Sequence, residues 1–409
     1  MKQVDFDYSP VKCRILPHIT IVLATLLISS CANELFRTPV PPELEEVVEV
    51  ADMSHARAWG DSFNPAWQAD VIQSIRDEPE GLFPRGPNGE FRYSGLSMSG
   101  GGEHGAFGAG FLKGWSASGS RPVFKVVTGI STGALIAPFA LLGSEYDDTL
   151  EEIYTQVTAD DIFLKKSILG AYWRESLADN QPLRNMVEEY ISDEIIDAIA
   201  VAHNNGQRLL IGTTNFDAQR AVIWSMGAVA NSRHPDAYDL FRNILVASAA
   251  IPILFPPTFI EVEADGEVYD EMHVDGGTMG QMVYFGSTID WKAALREASG
   301  EQEPIDNSVL YIIIDGGIDH HYDAVPRRLA PIANRTIKTM IKASALSSLY
   351  KMFLHAEVNG YDFKYVSLPK TYEPFDDTPY DPEEMRRMFR IGHKMGMEGD
   401  SWLSTPLEF

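Results

Sequence analysis

Three short stretches of this chain hold residue types that could make and break an acyl bond. The first is Thr128-Gly129-Ile130-Ser131-Thr132-Gly133-Ala134, which closes the apolar run Val123 to Val127 and continues into Leu135-Ile136-Ala137. A β-rich run that breaks into Gly-x-Ser-x-Gly and then into helix formers reads as strand, sharp turn, helix. Gly129 and Gly133 remove side chains that would collide in so tight a bend, and the helix that follows aims free N–H groups and its positive dipole end at the serine oxygen. Such a turn exposes the Ser131 hydroxyl and readies it as a nucleophile. With 32 glycines in the chain the motif also arises by chance, so the argument depends on partners elsewhere.

The second stretch is Ser99-Gly100-Gly101-Gly102-Glu103-His104-Gly105, between a strand expected over 93–98 and a helix expected over 106–115. Gly100, Gly101 and Gly102, with Gly105 three residues on, let the backbone turn tightly and offer bare N–H groups to an anion. A nucleotide phosphate and the oxyanion of an acyl-transfer intermediate both suit such a loop. The nucleotide reading is the weaker, because no Gly-Lys-Ser/Thr follows the glycines and no ribose-binding acid closes the next strand. The spacing from Gly102 to Ser131 allows one right-handed crossover helix, which brings both turns to the same carboxyl edge of a parallel sheet.

The third stretch is Asp275-Gly276-Gly277, after a β pair turning at Asp265-Gly266. Asp315 opens a second Asp-Gly-Gly after Ile312-Ile313-Ile314, and composition does not separate the two.

The glycine loop Gly100 to Gly105 and the turn Gly129-Ile130-Ser131-Thr132-Gly133 resemble those of the patatin-like phospholipases, a family of serine acyl hydrolases. The segment Ala247-Ser248-Ala249-Ala250-Ile251-Pro252-Ile253-Leu254-Phe255-Pro256-Pro257 ahead of Asp275-Gly276-Gly277 extends the resemblance, which covers roughly residues 91 to 290. It implies an α/β fold, a three-layer sandwich with a mainly parallel central sheet flanked by helices. It also implies a dyad of Ser131 and Asp275, an oxyanion loop at Gly100, Gly101, Gly102 and Gly105, and hydrolysis of lipid acyl esters with no metal or cofactor. Two departures stand out. His104 replaces the usual arginine or lysine, and Thr278-Met279-Gly280-Gln281-Met282 lacks the Asn-x-Pro element that usually follows Asp-Gly-Gly. A Ser-His-Asp hydrolase built on Asp315 with His320, His321 or His355 is the rival chemistry. An acyl-binding lipoprotein without turnover is the rival from another class, and the intact Ser131, Asp275 and loop glycines argue against it.

The 409 residues are 45% hydrophobic, enough for a large core, and the formal charge of −25 argues against a nucleic-acid partner. The same charge weakens adhesion to anionic lipid, so a membrane role needs an anchor. Lys12 and Arg14 precede an apolar run from Ile15 to Ile28, long enough for a signal peptide and short of a bilayer span. Its end, Leu27-Ile28-Ser29-Ser30-Cys31, resembles the lipobox of bacterial lipoproteins, implying an exported protein anchored through an acylated Cys31. An ordinary signal peptide cut near Ser30 or an uncleaved anchor are the alternatives. Cys13 would leave with residues 1–30, so no disulfide is available to the exported form.

The chain is expected to divide into a signal peptide over 1–30, a tether and peripheral segment over 31–90, and a hydrolase domain over 91–405. Pro39, Pro41 and Pro42 among Glu43, Glu45, Glu46 and Glu49 suggest an extended spacer. Helical periodicity is expected over 146–157, 182–202, 327–359 and 382–396, and strands over 208–214, 220–226, 309–314 and 363–368. Residues 162–173 form an apolar run that suits a core segment or a lid.

Overall fold

The structure, a computed structural model, describes residues 37–50, 53, 55–87, 89–166, 174–300, 306–319, 322, 324–375 and 378–406. Cys31 and its apolar leader, residues 167–173 of the apolar run, His320 and His321 lie outside these.

The strands of the main sheet are β1 (Arg57–Trp59), β2 (Ser94–Met98), β3 (Val126–Gly129), β4 (Arg208–Asn215), β5 (Arg220–Ser225), β6 (Thr258–Ala264), β7 (Glu267–Asp275), β8 (Val309–Ile314) and β9 (Asp362–Ser367). They form one nine-stranded sheet in the order β1-β5-β4-β3-β2-β8-β9, with the β6–β7 hairpin joined to β4. Strands β4, β3, β2, β8 and β9 are parallel to their neighbours in this order, while β1, β5 and the hairpin pair antiparallel.

Side-chain alternation explains the layers. Val127, Leu209, Ile211 and Ile313 face one apolar cluster, whereas their neighbours Val126, Leu210, Ile312 and Ile314 face the other side. Strands apolar on both faces must be covered on both. Helices α2 (Gly105–Ala117), α3 (Thr132–Leu142), α4 (Asp147–Gln156), α5 (Gln181–Tyr190), α6 (Asp193–Asn204), α7 (Ala237–Ser248) and α9 (Pro382–Glu398) lie on the first side. On the other lie α1 (Pro65–Arg76), Trp291–Ser299 and the carboxyl half of α8 (Leu329–Asn359). The fold is the expected α/β sandwich.

Two local expectations change. The periodicity over 182–202 is broken into α5 and α6 at Ile191-Ser192, where Ser192 turns extended and Asp193 and Glu194 open a new first turn. Acidic residues after a serine suit a helix start, and period alone did not register the break. The expected spacer, from Arg37 on, is instead packed against the sheet. Thr38 and Pro39 bridge to Asp270, Glu49 pairs with Glu263, and Val48 and Val50 are buried. Arg37 reaches Asp217 and Asp270, and Arg57 of β1 reaches Glu271. Alternating valines and cationic partners in an acidic body outweigh the extended preference of the prolines.

Candidate functional site

Register brings the first two stretches together. β2 and β3 pair in parallel with Met98 opposite Gly129, so the glycine loop and the serine turn leave the same sheet edge side by side. A Cβ placed on Gly100 would lie 3.3 Å from Ser131 Cβ.

Ser131 occupies the turn between β3 and α3 with φ 55° and ψ −124°, a conformation disfavoured for any side chain. Its N–H donates to Ser248 Oγ at 3.0 Å, and that hydroxyl donates onward to the Gly212 carbonyl at 2.7 Å. The turn closes because Gly129 and Gly133 press against each other. A Cβ on Gly129 would sit 2.3 Å from the Gly133 carbonyl oxygen, and one on Gly133 would sit 2.5 Å from that of Ser99.

The loop is held from both sides. Gly100 N–H donates to the Gln281 carbonyl at 3.1 Å, and the Gln281 side chain donates to the Gly277 carbonyl at 3.1 Å. Gln281 therefore occupies the wall where the sequence departs from the family pattern. His104 also has a structural place, its Nδ1 lying 3.0 Å from the Gly101 carbonyl. Gly102 takes φ 58°, in the left-handed region that favours glycine. Gly105 opens α2 in contact with Thr132 and Tyr154. No acceptor for the N–H groups of Gly101 or Gly102 is found among the described residues, which leaves two donors at the mouth of the turn.

Asp275 ends β7, opposite Thr213 of β4. Its N–H donates to the Ala250 carbonyl at 2.9 Å, which explains why the segment before Pro252 must lie here. Gly277, in the short turn that begins at Gly276, donates its N–H to Asp275 Oδ1 at 2.7 Å. Burial pushes the carboxyl up to about 6, with the Ser131 hydroxyl and the Gly277 N–H drawing it back. An aspartate near 6 is a far better proton acceptor than one at 3.8, and the side chain beside it is Ser131.

A largely apolar pocket opens over Ser131 and Gly102. Gly102, Ser131, Thr132 and Tyr380 are among its polar lining, while Leu135, Ile153, Ile162, Leu183, Met186 and Phe255 are among its apolar lining. Tyr380 was not singled out in the sequence. It comes from the loop before α9, and no local pattern ties it to Gly102, whose added Cβ would lie 3.7 Å from the tyrosine hydroxyl.

The rival base is placed elsewhere. Asp315 is fully buried beneath the loop, in contact with Gly101 and Gly108, and burial pushes its carboxyl well above the usual range. Its oxygens make no well-formed hydrogen bond, and the Gly108 N–H offsets only part of the burial. His355 lies on α8 beside Tyr284 and Tyr361, in a separate cavity at the strands' starting edge with Gly95 and Val309. The rival triad of Asp315 with His355 is not brought together at Ser131: Asp315 lies beneath the loop and His355 in the other cavity.

Residues 96–284 match the Patatin-like phospholipase family model. The chain carries a patatin-like phospholipase domain. The matched region spans the glycine loop, the Ser131 turn and Asp275-Gly276-Gly277, and the family is one of lipid acyl hydrolases. Among solved structures, VipD from Legionella pneumophila resembles this chain at 12% identity and a TM-score of 0.36, covering 79% of this chain and 70% of VipD. Human GIVD cytosolic phospholipase A2, solved with methyl gamma-linolenyl fluorophosphonate and terbium chloride, resembles it at 10% identity and a TM-score of 0.35. That match covers 86% of this chain and 64% of the human enzyme. No curated protein sequence matches this chain significantly.

Proposed function

We propose that this patatin-like protein is a phospholipase A-like serine hydrolase that cleaves fatty acyl esters through Ser131 and Asp275. The observation that carries the reading is the pairing of a strained serine, which lines an apolar pocket, with a buried aspartate held near 6. Ser131 Oγ attacks the acyl carbonyl carbon while its proton passes to Asp275, and the N–H groups of Gly101 and Gly102 receive the oxyanion. Collapse breaks the ester C–O bond, and the alcohol leaves with the proton from Asp275. Water then attacks the acyl carbon and gives its proton to Asp275; collapse breaks the bond to Ser131 Oγ, which takes that proton back, and the fatty acid departs. Burial addresses the weakness of an ordinary aspartate as a base for a hydroxyl.

The test is hydrolysis of mixed phospholipids, with fatty acid and lysolipid identified, together with labelling by a serine-directed fluorophosphonate. Wild type is expected to release fatty acid and to be labelled at Ser131, and Ser131→Ala to do neither. Retention of most activity in that variant overturns the reading.

We also propose that the protein is an exported lipoprotein held to a membrane through acylated Cys31, on the strength of the lipobox resemblance. Cys31→Ala is expected to release it from membranes washed in high salt, with its activity on a soluble ester unchanged. Retention of the variant that withstands high salt overturns this proposal.

A further inference from the structure

Helix α8 is much longer than the sheet needs. β8 and β9 pair in parallel with Val309 opposite Asp362, and α8 ends at Asn359 just before β9, so its carboxyl end lies at the strands' starting edge. Its buried side, Leu349, Met352 and Ala356, packs with Ile312, Ile314 and Phe363. One turn higher the Ser348 hydroxyl accepts the Gln281 N–H at 3.2 Å, behind the candidate site. Residues 329–344 therefore run past the edge that holds Ser131, for about 24 Å at helical rise.

This projecting half is apolar on the surface. Leu329 is 86% exposed and Met340 66%, with Ile332, Ile337 and Ile341 also exposed. Their spacings of three, five, three and one place them along one side of the helix, away from Arg335, Lys338 and Lys342. The charge is equally unusual. Residues 324–356 contain Arg327, Arg328, Arg335, Lys338, Lys342 and Lys351 and no Asp or Glu, in a chain whose formal charge is −25. The Lys342 ammonium donates to the Asp319 carbonyl, tying the base of the projection to the loop after β8.

We infer that residues 327–342 form an arm that docks on an anionic lipid bilayer, inserting its apolar side while its cations meet the headgroups. Apolar side chains opposite basic ones are the pattern of helices lying in a membrane interface, and polybasic segments are drawn to anionic leaflets. No helix among the described residues is long and apolar enough to cross a membrane, so the arm lies on the surface. The acidic body and the basic arm orient the molecule with the Ser131 edge toward the lipid. The docking is independent of turnover, while its use in presenting substrate rests on the hydrolase reading.

Flotation with vesicles of phosphatidylcholine alone, or mixed with phosphatidylglycerol, tests the arm. Residues 31–409 with Cys31→Ala and Ser131→Ala exclude an acyl chain and any change to the lipids. Binding is expected on the anionic vesicles only, weakened by salt. Replacing Arg327, Arg328 and Lys338 by Gln should weaken it roughly tenfold to a hundredfold. Leu329→Ser with Met340→Ser should do the same, although all of these positions are exposed and circular dichroism should be unchanged. Equal partition to both vesicles, or parental binding by both variants, overturns the inference. So does a lipid-free dimer that the serine pair dissolves, since the apolar side would then belong to a second copy. With Ser131 intact, the same variants should slow hydrolysis of anionic vesicles and leave a soluble short-chain ester unaffected. If no ester is cleaved at all, the hydrolase reading fails and the flotation result stands.

Discussion

The Ser248 hydroxyl takes the Ser131 N–H at 3.0 Å and gives its own proton to Gly212, so a residue of α7 holds the strained turn in place. Ser248→Ala leaves a buried N–H without its partner and frees the turn to relax. Stability is expected to fall by about 1–3 kcal/mol, and kcat on a soluble ester by roughly tenfold to a hundredfold with KM little changed. Denaturant unfolding and steady-state kinetics check it. An unchanged kcat would show that the turn keeps its geometry unaided.

Activity should follow the ionisation of Asp275. A base must be deprotonated, so kcat/KM on a soluble ester is expected to rise with pH and level off above an inflexion near 6. A profile flat through that region contradicts the assignment.

The same residue should trade stability for function. Its folded pKa exceeds the ordinary 3.8, so the folded state binds more protons between 3.8 and about 6, and stability from this group falls as pH rises through that window. Asp275→Asn removes a buried charge. Above the window it is expected to unfold about 1–3 kcal/mol harder than the parent while losing turnover as fully as Ser131→Ala. The double variant should be no worse than either alone. An Asn variant that unfolds more easily at alkaline pH argues against a costly buried carboxylate.

Asp315 should behave as a neutral acid. Asp315→Asn is nearly the same shape and removes no charge that folding has to bury, so stability within about 1 kcal/mol and turnover within roughly threefold are expected. His355→Ala, beside the other cavity, should leave hydrolysis within roughly tenfold. Loss of activity in either, with the fold intact by circular dichroism, would bring a different base into the mechanism.

Chain-length preference should respond to Met186. It lines the apolar cavity without being fully enclosed, and Met186→Trp fills space that a long acyl chain would use. At about 0.8 kcal/mol per methylene, losing room for three or four of them should cut kcat/KM on long-chain esters roughly a hundredfold and leave short-chain esters unaffected. A uniform loss across chain lengths would place the acyl group elsewhere.

The sequence by itself determined the sharp turn at Ser131, the glycine loop and the alternating parallel strands, because each follows from backbone rules acting over a few residues. Gly129 and Gly133 are legible as turn glycines, and Asp265-Gly266 as a hairpin whose two residues take positive φ. Tertiary structure decided everything that depends on who sits opposite whom. Asp275 and Asp315 begin identical triplets, and only the fold separates them, burying one beside Ser131 and the other beneath Gly101. Gln281 and Ser248 became supports because the fold brings distant segments to Gly100 and Ser131, a pairing that no local spacing encodes. The stretch from Arg37 to Val50 packs for the same reason: its prolines favour extension, but Asp217, Asp270 and the apolar face of the sheet meet its cation and its valines only in the folded chain.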